Sequence, residues 1–166
     1  DVSVRDPGRT LSSHDNGYIH VSHRFPNFRA LDDDFCENIN TVVYNPRIRF
    51  ESHNIGLRLN DINNYYRFGS QSNSGIRRKL WNSSDLNQPQ FFTTPLIYTT
   101  GNIIDDEFLD PQADNEALWG IHTSNNGYTG GDPAPGSFFT PTPFPLGLDI
   151  VIRSAEDAYN YNFGGK

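Results

Sequence analysis

The chain has 166 residues and a formal net charge of -7, and 35% of its residues are hydrophobic. The length predicts one domain over residues 1–166. The negative charge opposes nucleic acid, whose protein partners carry clustered positive charge. No apolar run approaches the roughly 18 residues of a membrane span.

The first 50 residues are predicted to contain a short strand, a helix and a second strand. Residues 18–23 alternate between apolar and polar side chains, as half-buried strands do. Four apolar residues then recur at three- and four-residue spacing, which predicts a helix around residues 28–38. Residues 41–44 read as a strand. The four apolar residues are Phe28, Leu31, Phe35 and Ile39.

The rest of the chain is predicted to be mostly strand and loop. Short alternating segments separated by turn-forming residues are typical of an antiparallel meander. A long proline-rich loop covers residues 130–145, and residues 148–152 predict a last strand. We detect no internal repeat. The expected fold class is mainly β, or α+β: antiparallel sheet with one N-terminal helix packed on it. The meander segments are 47–50, 55–59, 65–68 and 76–81.

Enzyme motifs are absent from the sequence. There is no His-Glu-x-x-His, no Gly-x-Ser-x-Gly and no phosphate-binding glycine loop, so there is no positive case for an enzyme. Cys36 follows three aspartates, which disfavour a thiolate, and it is predicted to be a buried, unreactive side chain. His14, His20 and His23 are interpreted as unrelated surface histidines, because residues 20 and 23 point to opposite faces of a strand.

An acidic segment is the one candidate metal site. Calcium takes six to eight oxygen ligands from flexible loops, and this segment supplies several carboxylates around Pro111. It lacks the Asp-x-Asp-x-Asp-Gly pattern, and the alternative is a solvated acidic loop. Calcium is therefore the one cofactor that the sequence suggests. The candidate ligands are Asp105, Asp106, Asp110, Asp114 and Glu116.

Aromatic residues near Asn-, Asp- and Gly-rich loops suggest a second kind of site. Exposed rings offer stacking faces to sugars, whereas rings in β proteins more commonly pack in the core. Carbohydrate binding is therefore a hypothesis that depends on exposure. The rings concerned are Tyr65, Tyr66, Trp81, Trp119 and Tyr128.

The order of segments resembles the globular part of minor pilins and pseudopilins, of the type II secretion J or type IV pilus W kind. The resemblance rests on Leu31-Asp32-Asp33-Asp34-Phe35 before residues 41–44, on Leu80-Trp81 at the end of the meander, and on Phe144-Pro145-Leu146 before residues 148–152. It covers residues 28–156 and lacks the N-terminal apolar helix of that family. It implies a helix packed on antiparallel sheet, a role in filament assembly and no catalytic residues.

These observations favour a non-enzymatic extracytoplasmic structural or assembly subunit. The chain begins at Asp1 and contains no Met, which suggests a processed chain. Its expected partners are other protein subunits of a filament or assembly, with a glycan as a further candidate. A membrane would be reached only through an N-terminal segment outside this sequence. The alternatives are a carbohydrate-binding β-sandwich, a jelly-roll coat or shell protein, and an enzyme whose site is assembled from residues distant in sequence.

Overall fold

The computed structural model describes residues 10–22, 25–28, 35–47, 50–54, 57–72, 79–82, 95–105, 115–122, 132–147 and 149–164. These residues contain twelve strands, one α-helix (α1, Ala155–Phe163) and two short 3-10 turns, Glu116–Leu118 and Gly136–Phe138. The strands are β1 Thr10–His14, β2 Gly17–Ile19, β3 Phe35–Ile39, β4 Val42–Tyr44, β5 Ser52–Asn54, β6 Arg58–Ile62, β7 Tyr65–Arg67, β8 Lys79–Asn82, β9 Leu96–Thr100, β10 Ile103–Ile104, β11 Trp119–His122 and β12 Asp132–Pro133.

The strands form three sheets of four strands each. Sheet I has the order β1-β3-β6-β9, sheet II the order β2-β4-β7-β10 and sheet III the order β5-β8-β11-β12. Each coil of the chain visits sheet I and then sheet II, and the second, third and fourth coils continue to sheet III. Every described strand pair is parallel except β11–β12. The architecture is therefore a parallel β-helix, in which each coil stacks on its neighbours.

The predicted antiparallel meander is wrong. Except for the β11–β12 pair, each strand pairs with the equivalent strand of the next coil, and not with the strand beside it in sequence. Side-chain alternation has the same period of two in parallel and antiparallel strands, so the pattern cannot distinguish them. Most of β3 and β6 is buried on both faces, as parallel strands usually are.

The predicted N-terminal helix is also wrong where the structure describes it. Phe35–Ile39 is β3, and Cys36 and Asn38 lie opposite Leu59 and Asp61 of β6. The spacing of the apolar residues fits a helix, but pairing with two neighbouring strands decides the conformation. Residues 29–34 lie outside the described residues.

The helix is instead C-terminal. Ser154 caps α1 by accepting a hydrogen bond from the Asp157 N–H at 3.1 Å. Its tyrosine Tyr159 accepts a hydrogen bond from Arg67 at 2.9 Å, and its ring lies 4.8 Å from that of Tyr65. This packing covers the outer face of sheet II. No helix in the described ranges is long and apolar enough to cross a membrane.

The corner between sheets I and II repeats in every described coil. Its first residue has a positive φ each time: Asp15 52°, Asn40 55°, Asn63 53° and Gly101 65°. Gly, Asn and Asp are the residues that adopt this left-handed conformation most readily. In the third and fourth coils the next residue is an asparagine that links two coils. The Asn64 carboxamide accepts the Thr41 N–H at 2.8 Å, and the Asn102 carboxamide accepts the Asn64 N–H at 2.8 Å.

The same corner corrects the statement that the chain has no internal repeat. Leu11–Ile19, Cys36–Tyr44, Leu59–Arg67 and Ile97–Asp105 are nine-residue segments in matching register. Each has an apolar first residue, Asp, Asn or Gly at the fifth position and Asn or Thr at the sixth. Their unequal separation along the chain hides the period.

The described core forms two apolar clusters. One contains Phe28 and Trp119 with the inward-facing side chains of sheet I, and the other lies inside sheet II around Phe50 and Tyr66. Outside sheet I, residues 140–147 and 149–153 form a strap that crosses the strands. The predicted strand at 148–152 is wrong where the structure describes it, because residues 149–152 lie in this strap and in no strand; Leu148 lies outside the described residues.

Candidate functional site

The interior contains a cluster of hydrogen-bonded polar side chains. Glu51 accepts hydrogen bonds from the Tyr66 hydroxyl at 2.6 Å and from Asn38 at 2.9 Å. Asp61 accepts from Asn64 at 2.6 Å and from Asn102 at 2.9 Å. Asn38 also donates to Asp61, at 3.3 Å, so it joins the two carboxylates in one network.

A carboxylate–imidazole pair belongs to this cluster. Nε2 of His53 lies 2.9 Å from Glu51, and Nδ1 of the same ring accepts the Phe28 backbone N–H at 3.0 Å. Because Nδ1 is an acceptor, the ring proton lies on Nε2 and is donated to Glu51. Such a pair can orient a general base, but a catalytic pair must also reach a substrate.

Burial decides how this cluster is interpreted. Glu51, His53, Asp61 and Tyr66 are all 0% exposed. Burial, followed by the neighbouring charges of Asp61 and Glu51, raises the pKa of Tyr66 well above its usual value. The network pairs its polar groups with one another, Asn38 Oδ1 excepted, and its four titratable side chains have no solvent-exposed surface, which favours a structural interpretation.

The outer face of sheet I uses polar side chains to hold the strap. Asn60 donates to the Phe144 carbonyl at 2.9 Å and accepts the Phe144 N–H at 3.0 Å. Asn40 donates to the Val151 carbonyl at 2.7 Å and accepts the Arg153 N–H at 3.0 Å. Each carboxamide thus binds the strap backbone as a neighbouring peptide group would.

A third attachment brings the strap against β1 and β3. The Gly147 N–H donates to Oε1 of Glu37 at 2.7 Å. A β-carbon on Gly147 would lie 2.4 Å from Thr10 Cγ2, so a larger residue would displace the strap. The strap therefore crosses the outer faces of β1, β3 and β6, while the outer residues of β9 remain at least partly exposed.

A groove of about 350 Å³ lies between the strap and sheet I. Its floor is formed by β6 and β9 and the corners that follow them, and its wall by the strap. This volume is at the lower end of the range for small-molecule sites, about 300–1,000 Å³. The described lining residues are Ile62, Asn63, Tyr98, Thr100, Pro143, Phe144, Leu146 and Ile152.

The groove combines aromatic and polar groups without charge. The Phe144 ring is held edge-on against Phe35, with the centroids 5.5 Å apart. The Tyr98 and Thr100 hydroxyls make no hydrogen bond to any described residue. None of the lining residues in the described part of the chain is charged. This groove is a site that the described residues leave open to a ligand.

The predicted calcium ligands are only partly described. Asp105 is paired with Arg67, whose Nε lies 2.9 Å from the carboxylate. Glu116 begins the 3-10 turn before β11 and is exposed. Asp106, Asp110 and Asp114 lie outside the described residues, and the described ones contain no group of three metal-ligating side chains. Calcium binding by this segment stays a prediction.

The other candidate residues are divided between the core and the surface. Cys36 is a buried thiol in the sheet I cluster, which confirms its predicted burial. His14 lies near Asp15, and His20 is hydrogen-bonded to Asn45, whereas His23 lies outside the described residues.

Few of the predicted sugar-binding rings are available to a ligand. Tyr66 and Trp119 are fully buried, and Tyr65 stacks under α1. Tyr128 and the side chain of Trp81 are not described. Sequence reasoning missed Tyr98, because the segment Leu96–Thr100 shows no alternation of apolar and polar residues; its outward orientation follows from the burial of Ile97 beside it.

Comparison with known proteins assigns no family. No family model matches the chain, and no curated protein or solved structure matches it.

Proposed function

We propose that the chain is a non-enzymatic extracytoplasmic structural subunit that assembles through the open edge of its first coil. The observation that carries this proposal is the difference between the two ends of the described β-helix. The interior polar network supports the non-enzymatic part, because its titratable side chains are occupied with one another and fully buried. The extracytoplasmic location rests on composition alone.

The first coil presents unpaired backbone groups. The Asp15 N–H donates to the Ile39 carbonyl at 3.1 Å. The backbone N–H and C=O groups of every second residue in a strand point in the same direction, so those of Ser13 and Leu11 also point towards β3. The N–H and C=O groups of Thr10, Ser12 and His14 therefore point away from β3, and β1 pairs with no other described strand. Such an edge is a template for another strand.

The last coil is covered in part. The Thr140 N–H donates to the Ile97 carbonyl at 3.0 Å, on the side of β9 that faces away from β6. In sheet III, β12 pairs antiparallel with β11 and ends the parallel stack. Among the described strands, β10 of sheet II has no neighbour beyond β7. Because the five-residue edge of β1 is longer than the two-residue edge of β10, pairing of two copies through their β1 edges is favoured over an endless stack.

The pilin resemblance does not supply this proposal. It implied a helix on antiparallel sheet, and the described strands are parallel with a C-terminal helix. The sandwich and jelly-roll alternatives also rest on antiparallel sheets. What the proposal retains is the assembly role and partners that are protein subunits.

Sedimentation of the full chain over a range of concentrations tests the proposal. We expect reversible dimerisation. Ser12→Pro should weaken it, because proline removes an N–H that points to the open edge and leaves the β1–β3 hydrogen bonds intact. Ser12→Ala is the matched control and should dimerise normally. A chain that stays monomeric, or a dimer that Ser12→Pro leaves unchanged at equal thermal stability, would contradict the proposal.

A further inference from the structure

The groove beside the strap differs from an ordinary apolar surface in its unused polar groups. The hydroxyls of Tyr98 and Thr100 make no hydrogen bond to any described residue. The Asn63 carboxamide donates its N–H to the Arg153 carbonyl, which leaves its oxygen as an acceptor beside the groove. Three polar groups thus accompany the rings of Tyr98 and Phe144 in one small space.

These polar groups exclude a purely apolar ligand. An acyl chain or an aliphatic peptide side chain would remove water from the hydroxyls and return no hydrogen bond. Each buried polar group left unsatisfied costs about 1–3 kcal/mol. The apolar contacts of a groove of about 350 Å³ would be largely offset by that cost.

The absence of charged residues from the described lining restricts the class of ligand further. The described lining contains no cation and no anion, so it offers no ion pair to a charged ligand. The net charge of -7 opposes the approach of polyanions. The chemistry that remains is an uncharged molecule with apolar faces and several hydroxyl or amide groups.

We propose that this groove binds a neutral saccharide. The C–H face of a sugar ring packs on Tyr98 or Phe144, and its hydroxyls exchange hydrogen bonds with Thr100, Asn63 and the Tyr98 hydroxyl. Leu146 and Ile152, 40% and 44% exposed, form the rim of the groove and lose solvent contact on binding. This site is distant in sequence from the β1 edge and does not depend on assembly.

Isothermal titration of the full chain with uncharged trisaccharides tests the proposal. The probes are cellotriose, maltotriose, mannotriose and chitotriose in its acetylated form, at millimolar concentration, with trigalacturonate as the anionic comparison and a neutral alkyl detergent as the apolar one. At least one uncharged trisaccharide should bind, and trigalacturonate and the detergent should not.

Variants assign the binding to the groove. Tyr98→Ala should weaken the affinity by at least about tenfold, because both the ring and its hydroxyl are lost. Thr100→Val removes one hydroxyl at constant shape and should weaken it roughly three- to tenfold. Tyr161→Ala is the control, since Tyr161 is 65% exposed on α1 and does not line the groove. Thermal melting verifies that each variant is folded.

Three results would overturn the proposal. The first is that none of the uncharged trisaccharides binds. The second is that a folded Tyr98→Ala variant binds the trisaccharide with unchanged affinity. The third is that the chain binds the detergent more tightly than any trisaccharide. The last would identify the groove as an apolar docking site instead.

Discussion

Asn38 and Asn60 lie on neighbouring strands of sheet I with opposite orientation, and they bind different partners. Asn38 points inward and donates to the side chains of Glu51 and Asp61. Asn60 points outward and binds the backbone of Phe144 in the strap. Inward polar groups therefore hold the coils to one another, whereas outward polar groups hold a separate segment on the coil.

This difference explains why the two faces differ in what they can do. The side chains of Asn38, Glu51 and Asp61 are fully buried and hydrogen-bonded to one another, so a change there alters the free energy of unfolding. The outward groups are covered only where the strap lies over them, and beyond its edge they remain open at Tyr98 and Thr100. Ligand binding is therefore expected outside the coil and stability inside it.

The largest expected change in stability follows from replacing Asp61. Asp61→Ala removes the buried carboxylate that accepts hydrogen bonds from Asn38, Asn64, Asn102 and Thr99, although the three amides keep other acceptors. At about 1 kcal/mol for each of the four hydrogen bonds lost, the free energy of unfolding should fall by roughly 3 kcal/mol or more, measured by urea denaturation. Asp149→Ala, on the exposed strap, is the control and should change it by less than about 0.5 kcal/mol. Equal effects of the two variants would remove the distinction between the faces.

Sequence alone predicts part of this architecture. The strands β4 and β7 overlap predicted strands because β-branched and aromatic residues are concentrated there. Residues 51–54 and 60–63 were predicted to be turns from their polar composition, yet they contribute to β5 and β6. Inside a β-helix, polar residues can occupy strands because stacked coils supply their hydrogen bonds.

The candidate site was less predictable than the fold. Whether Tyr98 lines a groove depends on the course of the strap, which the Asn60 and Asn40 side chains fix through contacts 84 to 113 residues apart in sequence. The helix α1 was missed although Ser154, Glu156 and Asp157 form a recognisable N-terminus. Its three aromatic residues made the segment resemble an irregular tail.

The next largest expected effect is a loss of stability at alkaline pH, caused by ionisation of Tyr66. Burial and the charges of Asp61 and Glu51 raise its pKa in the folded state, so the neutral phenol is favoured there. This contribution to the free energy of unfolding is fully present below about pH 10, the usual pKa of a tyrosine in the unfolded chain. Above that pH it is lost by up to roughly 1.4 kcal/mol per pH unit. Urea denaturation between pH 7 and pH 11 should show this decline.

Tyr66→Phe separates this titration from other alkaline effects. The variant should be less stable at pH 7, because Glu51 loses a hydrogen bond, but its stability should fall less steeply above pH 10. In Tyr66→Phe a shallower decline of the free energy of unfolding with pH should remain, because burial and Asp105 also raise the pKa of Tyr65. Tyr161→Phe is the matched surface variant. Parallel curves for Tyr66→Phe and the unchanged chain would contradict the assignment.

A smaller effect is expected at the strap. Asn60→Ala removes both hydrogen bonds to Phe144 and should lower the free energy of unfolding by about 1–2 kcal/mol. The amide of Phe144 should exchange with solvent faster, while amides of β6 and β9 should not. Thr142→Ala, an exposed change within the strap, should leave exchange at Phe144 as it is. Faster exchange throughout sheet I would show that Asn60 supports the coil itself.

The smallest expected effect concerns calcium and the acidic residues between Asp105 and Glu116. Asp105 already has a counter-charge in Arg67, 2.9 Å away, so calcium would have to compete for that carboxylate. The remaining carboxylates repel one another when ionised, and calcium would relieve that repulsion. At about five times the dissociation constant, binding to the folded state adds only about 1 kcal/mol. We therefore expect a slightly higher melting temperature in millimolar calcium than in chelator. Asp105→Asn with Asp110→Asn should abolish the difference, and Asp149→Asn should preserve it. Identical melting curves would mean that calcium does not bind these acidic residues, and that the carboxylates shown to support the fold are buried ones held by amides, such as Asp61.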